Sequence, residues 1–137
     1  MTSALTIGDV RESLAGAIRD TTGLNCSPYL LDQIDAPCAM IGRAPFDPRL
    51  VLSGAKTVYP FRVHLFVSRQ SDIDAQRTID EFCSMTGYRS IKAAVENGEA
   101  WSAPVDYAVV TSVGDTKETE SAGVVYFVTE FDVEVCW

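Results

Sequence analysis

The sequence predicts an α+β fold, with a mainly antiparallel or mixed four-stranded sheet and two to three helices packed on one of its faces. Two segments, residues 123–137 and 57–69, have a two-residue period of side-chain polarity, which predicts long strands. Apolar residues recur at threes and fours from Ile7 to Ile18, which predicts an amphipathic helix.

The two strand segments have one apolar and one polar face each. In the last strand the odd positions from 127 onward are apolar or Thr, whereas Glu130, Asp132 and Glu134 occupy even positions. In residues 57–69 the odd positions 59–67 are apolar, and the even positions include Arg62 and His64. This pattern indicates a sheet with a single covered side.

Size and composition limit the class of protein. With 137 residues the chain is expected to form one domain, residues 1–137, around its own core. The net charge of −8 argues against a general nucleic-acid or acidic-membrane surface. Apolar runs fall short of the roughly 18 to 20 residues that span a bilayer, and the N-terminus lacks signal-peptide features, so synthesis in the cytoplasm is expected.

The first half of the chain combines a helix, a short strand and an arm. Thr6-Ile-Gly-Asp9 has the spacing of a capping box at the start of a helix, and Gly23 marks its end. An irregular segment then leads to a short strand, Cys38–Gly42. Residues 43–56 contain two prolines and the run Leu50-Val51-Leu52, which predicts an extended arm that docks on a partner.

The second half adds two helices and a hairpin. Ser71 is expected to cap a helix that ends at Gly87, and Ser90 a short helix that ends at Gly98. Alternate residues of 105–113 fall on two faces, which predicts a third long strand. Residues 114–123 are polar, with Gly at both ends, and are expected to form the turn of a hairpin with the last strand.

Motifs for catalysis or metal binding are sparse. The four cysteines (Cys26, Cys38, Cys83 and Cys136) are widely spaced and the chain has one histidine, so free thiols and neither a metal nor a cofactor are expected. His64 could act as a base for Cys38 if their strands pair, but an interface role suits it better. Asp132 and Glu134 share a face, and Asp106 is placed across the hairpin from them. We interpret all three as solvated or ion-paired acids. The chain is therefore not expected to be an enzyme.

Four segments are similar, in their order and in their pattern of residues, to those of one known family. They are the first helix with the irregular segment through Pro28 and Tyr29 to Ile41, the strand Tyr59–Val67, the pair Ser71–Asp80 and Thr86–Val95, and the closing hairpin that ends in Tyr126–Val135. On these segments the chain resembles the tail terminator proteins of long-tailed bacteriophages over nearly its whole length.

The resemblance implies a structural virion protein at the head–tail junction. Such a protein forms a hexameric ring on the last ring of the tail tube, ends tail polymerisation and provides the joining surface for the head connector. The implied partners are copies of the chain, the tail tube protein and the head–tail connector protein. DNA would pass through the ring without specific nucleic-acid binding, and no membrane contact is implied.

A closed ring with head-to-tail contacts requires two different, complementary patches on each subunit. The arm and the charged sheet face are the candidates: basic residues would meet the acids of the next subunit, and Phe46 or Leu50 would supply affinity. The interface candidates are Phe46, Arg49, Leu50, Arg62, His64, Glu130, Asp132 and Glu134, with further basic residues at Arg43, Lys56 and Arg69. Six copies carry 6 × −8 = −48 formal charges, and Asp115, Glu118 and Glu120 are candidates for an acidic lumen.

The sequence also fits other interpretations. The main alternative is a small cytosolic α+β enzyme or ligand-binding domain that uses Cys38, His64 and the Asp132/Glu134 face, which predicts a deep pocket around His64. Another head–tail joining protein, or a bacterial protein of prophage origin with the same fold, fits the sequence as well.

Overall fold

The computed structural model describes residues 5–45, 52–53, 56–69 and 72–137. The greater part of the predicted arm, with Phe46, Arg49 and Leu50, lies outside these residues, as does the predicted cap Ser71. The α-helices are α1 (Ile7–Thr22), α2 (Asp72–Phe82) and α3 (Ile91–Glu96). The strands are β1 (Asn25–Ser27), β2 (Cys38–Arg43), β3 (Leu52–Ser53), β4 (Lys56–Ser68), β5 (Tyr107–Val113), β6 (Lys117–Ser121) and β7 (Val124–Cys136).

The fold is α+β, as predicted, but the sheet has more strands than the four expected. Its order is β1-β2-β4-β7-β5, with the short β3 against β4 and β6 against β7. β1 runs parallel to β2 and the other pairs are antiparallel, so the sheet is mixed. The two alternating segments form its centre, because β4 and β7 pair from Val58↔Cys136 to Ser68↔Tyr126.

The predicted turn at 114–123 is wrong in extent. Residues 117–121 continue the hairpin as β6, paired with β7 down to Ser121↔Val124. The chain reverses only at Ala122 and Gly123, whose φ angles of 53° and 80° are both positive, as a two-residue type I′ turn requires. An acidic, polar strand is hard to recognise from sequence, since its backbone pairing and not a buried side-chain face holds it in place.

The two ends of the predicted arm, residues 43–56, belong to the sheet. Arg43 closes β2, Leu52 and Ser53 pair with the start of β4, and Lys56 belongs to β4. Beyond β2 the Ala44 N–H still donates to the Pro60 carbonyl at 3.3 Å. Both described ends of the arm therefore lie along β4, where pairing satisfies backbone groups that an extended arm would leave to water.

The helix ends follow local capping chemistry. The Thr6 hydroxyl accepts from the Asp9 N–H at 3.0 Å and the Asp9 carboxylate accepts from the Thr6 N–H at 3.1 Å, so the capping box is confirmed. Gly23, with φ of 74°, ends α1 in the left-handed conformation. Ser90 caps α3, as expected. In contrast, α2 ends at Phe82, five residues before the predicted stop at Gly87.

All three helices contribute to one core on the odd-numbered face of β4 and β7. The largest side chains in it that are almost completely buried include Phe61, Phe131, Leu14, Ile18 and Ile91. The Ser13 hydroxyl on α1 accepts from the N–H groups of Ser102 and Ala103, both at 3.0 Å, and ties the loop before β5 to the helix.

Candidate interaction surface

The sheet presents a second face on the side away from the core. The β4–β7 register places Arg62 directly opposite Asp132 and His64 opposite Glu130, and Glu134 follows along β7. We call these five residues the open face. Their side chains are partly exposed; for example, the Arg62 side chain is 29% and the Asp132 side chain 33% exposed.

The charges of the open face are paired across the strands. Arg62 Nε donates to Asp132 Oδ1 at 2.8 Å and lies 3.6 Å from Glu130 Oε2. The Ser112 hydroxyl of β5 donates to Asp132 Oδ2 at 3.1 Å. The hydrogen bond from Arg62 lowers the pKa of Asp132, although burial opposes the shift.

This pairing bears on one expectation, although contact with the next subunit stays a prediction. The sequence predicted that Arg62 and Arg69 meet acids of the next subunit. In the structure Arg62 pairs with Asp132 of its own chain, and Arg69 with Glu118 at 2.6 Å. The reason is the register of the sheet, which brings these oppositely charged side chains together within one subunit.

His64 packs closely against β2. Its Nδ1 lies 3.5 Å from Glu130 Oε1, and a Cβ added at Gly42 would lie 3.1 Å from its Nε2. Burial lowers the pKa of His64, although the Glu130 carboxylate opposes the shift. The imidazole is therefore neutral at pH 7.

Cys38 is not placed as a nucleophile for this histidine. β2 and β4 do pair, but Cys38 lies opposite Phe66, and Met40 lies opposite His64. Cys38 and His64 are therefore diagonal neighbours on adjacent strands, about 7–8 Å apart, and not the directly opposed pair. Burial also raises the pKa of the Cys38 thiol, so the thiol stays protonated at pH 7.

Asp132 and Glu134 share the open face, as predicted, and Asp106 lies across the hairpin from the end of β7. Asp106 precedes β5, where its N–H donates to the Cys136 carbonyl at 2.8 Å. Val109 lies opposite Glu134. The Tyr107 hydroxyl donates to Glu134 Oε2 at 3.0 Å, which raises the pKa of Tyr107. Of the lumen candidates, Glu118 is ion-paired to Arg69, while Asp115 and Glu120 are exposed on the hairpin.

A shallow groove of about 320 Å³ lies beside His64, between the open face and β6. Its walls combine apolar and charged side chains, and this volume is at the lower limit of small-molecule sites. The lining residues are His64, Phe66, Asp115, Lys117, Glu118, Thr119, Val128 and Glu130.

The segment that precedes β2 carries a feature that sequence reasoning missed. Tyr29, Leu30 and Leu31 are 49%, 59% and 55% exposed, and we call them the apolar patch. Three consecutive large apolar residues between Pro28 and Asp32, in a segment with no helical or strand period, were the signal that could have identified it.

Several contacts hold this segment in place over β2. Arg11 Nη1 donates to the carbonyls of Pro28 at 3.2 Å and Ile41 at 2.8 Å, and its guanidinium lies 5.1 Å from the centre of the Tyr29 ring. The Leu31 N–H donates to Met40 Sδ at 3.3 Å. The apolar patch is thus displayed by a fixed backbone.

All four cysteines are free, and burial raises the pKa of Cys26 to about 12 and that of Cys83 to about 11. Across residues 5–45, 56–69 and 72–137, no three His, Cys, Asp or Glu side chains are grouped to hold a metal ion. None of the helices in the described part of the chain has the length and apolarity needed to cross a membrane.

Comparison with known proteins assigns no family. No protein-family model matches the chain, and a search of curated proteins finds no match.

Proposed function

We propose that this chain is a structural protein of a long-tailed bacteriophage virion. It caps the tail tube, ends tail polymerisation and forms the joining surface for the head connector. The observation that carries this proposal is the partly exposed, acid-rich open face, which lies on the side of the sheet away from the helices and near the apolar patch. The resemblance to tail terminator proteins in the order of elements supports the same role.

Two different surfaces on one subunit suit a ring. Head-to-tail contacts place one patch of each subunit against a different patch of the next, and six copies close the ring. The open face is built on the two central strands, and the apolar patch is held by Arg11 and Met40. Because both surfaces are pre-organised, little conformational entropy is lost when a partner binds.

Charge supports contacts with basic partner surfaces. Arg62 contributes +1 to the open face and its three acids contribute −3, giving −2 with His64 neutral. The whole chain carries −8, so a hexamer repels DNA that passes through it. Asp115 and Glu120 are the more available lumen candidates, because Glu118 is already paired with Arg69.

A tube-extension experiment tests this function. Tail tube protein from the same phage is polymerised with and without the purified chain, and tube lengths and ends are measured by electron microscopy. We expect shorter tubes with ring density at one end. Unchanged tube lengths and bare ends would contradict the proposal.

A matched pair of variants tests which surface of the chain is responsible for tube capping. Glu134→Lys reverses a charge on the open face, and Glu12→Lys makes the same change at an exposed site on α1. We expect Glu134→Lys to weaken capping and Glu12→Lys to leave it unchanged.

The groove beside His64 favours a second candidate function, binding of a small ligand. Thermal-shift and NMR screening of the purified chain would test it, with Val128→Trp as the variant that fills the groove. A ligand that shifts the His64 and Lys117 resonances, and whose binding is lost in Val128→Trp, would support this function. Normal tube capping by the same variant would separate the two functions.

A further inference from the structure

Strand β5 forms one edge of the sheet. Among the described strands it pairs only with β7, so one side of its backbone faces away from the sheet. Residues 107–110 are uncharged and pair with β7 in one unbroken register, which shifts at a bulge between Val110 and Ser112. An uncharged, regular edge of this kind pairs readily with a strand of another chain unless something covers it.

The register of the sheet shows which backbone groups of β5 point outward. Thr57 and Trp137 exchange two backbone hydrogen bonds, of 2.7 and 2.9 Å, so along β7 the odd-numbered residues direct their backbone groups to β4 and the even-numbered ones to β5. Val109 lies opposite an even-numbered residue of β7 and therefore bonds to that strand. The N–H groups of its neighbours, Ala108 and Val110, point away from β7.

A carboxylate from α3 covers one of these outward groups. The Val110 N–H donates to Glu96 Oε2 at 3.2 Å, and Lys92 Nζ donates to Oε1 of the same carboxylate. Burial opposes the shift, but the hydrogen bonds from Lys92 and Val110 lower the pKa of Glu96, so this side chain is charged at pH 7. Its oxygen occupies the position that the carbonyl of a pairing strand would take.

The edge that Glu96 covers is complementary to itself. With a two-fold axis at Val109, Ala108 of each copy lies opposite Val110 of the other, and both residues direct N–H and C=O groups across the axis. Residues 107–110 bring no like charges together in this arrangement. The strand that fits the edge is therefore β5 of a second copy, and the pairing needs the Val110 N–H that Glu96 accepts.

We infer that Glu96 keeps β5 of a free chain from pairing with β5 of a second copy. The bulge that follows Val110 disrupts the adjacent part of the same edge, so the two features protect neighbouring sections of it. This role goes beyond the proposed function. A two-fold pair closes with two copies, so it would withdraw chains from head-to-tail assembly.

A purely structural role for the contact makes a different prediction. If Glu96 only ties α3 to β5, its removal lowers stability and leaves self-association unchanged. If Glu96 covers the edge, its removal also produces a dimer whose population rises with protein concentration.

Sedimentation equilibrium of full-length variants distinguishes the two roles. We expect Glu96→Ala to self-associate at least about tenfold more tightly than the wild-type chain. Glu99→Ala is the matched control, since Glu99 is a nearby exposed glutamate, and it should behave like the wild type. Adding Val110→Pro to Glu96→Ala removes the N–H that pairing uses, at a sheet edge where proline is tolerated, and should restore the wild-type level. Thermal melts establish that each variant is folded.

Hydrogen–deuterium exchange locates the contact without the proline variant. In Glu96→Ala the Val110 amide should exchange rapidly in dilute solution and become protected at concentrations where the dimer forms. Equal self-association of Glu96→Ala and the wild type, or a dimer whose Val110 amide stays unprotected, would overturn the inference. So would a folded Glu96→Ala/Val110→Pro chain that dimerises as tightly as Glu96→Ala. These measurements contain no tail tube protein, so their outcome is independent of the proposed function.

Discussion

The two faces of the central sheet are made by alternate residues of the same strands, yet they differ in what their side chains contact. On one face Phe61, Val63 and Phe131 are at most 1% exposed and pack with the helices. On the other, Arg62, which lies between Phe61 and Val63 in sequence, and Asp132, which follows Phe131, remain about one third exposed. The comparison indicates that the first face stabilises the fold, whereas the second keeps part of its side-chain surface in contact with water.

The largest expected difference between the faces concerns aromatic side chains. Phe61→Ala removes a completely buried ring and should lower the free energy of unfolding by about 3–5 kcal/mol. Phe66→Ala, on the opposite face of the same strand, should cost less than half as much, because Phe66 is partly exposed already. Urea denaturation measures both, and equal losses would contradict the distinction between the faces.

A serine pair gives a smaller difference. Ser13→Ala removes a buried hydroxyl that accepts two partly buried hydrogen bonds, from the N–H groups of Ser102 and Ala103, and at about 0.5–1.5 kcal/mol for each bond it should cost about 1–3 kcal/mol. Ser112→Ala removes an exposed hydrogen bond to Asp132 and should change stability by about 0.5 kcal/mol or less. If Ser112→Ala proved the more costly of the two in urea denaturation, the open face would have a structural role.

The Arg62–Asp132 pair should contribute little to stability. Because both side chains are about one third exposed, a double-mutant cycle with Arg62→Met and Asp132→Asn is expected to give a coupling of about 0.5–1 kcal/mol. Raising the salt concentration should reduce it. A coupling of several kcal/mol would mean that this pair is part of the folding core.

The smallest effect is the pH dependence from His64. Burial lowers its pKa in the folded chain, so the unfolded chain binds a proton first as the pH falls through about 6.5. Stability should therefore decrease on acidification from pH 7.5, and the loss is complete below the folded-state pKa. The urea concentration at the midpoint of unfolding, measured as a function of pH, reports this loss. In His64→Gln the contribution of His64 to its slope should be absent. An unchanged slope would contradict the burial of the imidazole.

Asp132 also makes stability depend on pH, but at lower pH and for a different reason. Its folded-state pKa is lowered by Arg62, so the stability it provides is present above its unfolded pKa of about 3.9 and is lost as the pH falls through the folded-state value. The Asp132→Asn variant should lack that loss and retain the decrease in stability that His64 causes as the pH falls through about 6.5.

Much of the fold could be predicted from the sequence because its signals are local. Alternation over a few residues identified β4 and β7 and assigned Phe61 and Arg62 to opposite faces. The capping box of α1 depends on residues three positions apart, so Thr6 and Asp9 were recognised correctly.

The rest depends on contacts between distant residues. The Arg62–Asp132 pair joins side chains 70 positions apart, and only the β4–β7 register brings them together. β6 has no buried face to reveal it, and the apolar patch lies in a segment whose position depends on Arg11 and Met40. The residues that make up the candidate site could thus be named in part, but not their partners.

Co-sedimentation with purified tail tubes tests most directly whether partners use the surface away from the helices. Wild-type chain, Glu134→Lys and Leu31→Asp are compared with the helix-side variant Glu12→Lys at equal concentration. We predict that wild-type chain and Glu12→Lys pellet with the tubes, whereas Glu134→Lys and Leu31→Asp stay in the supernatant. Equal pelleting of all four proteins, or loss of binding only in Glu12→Lys, would contradict the account.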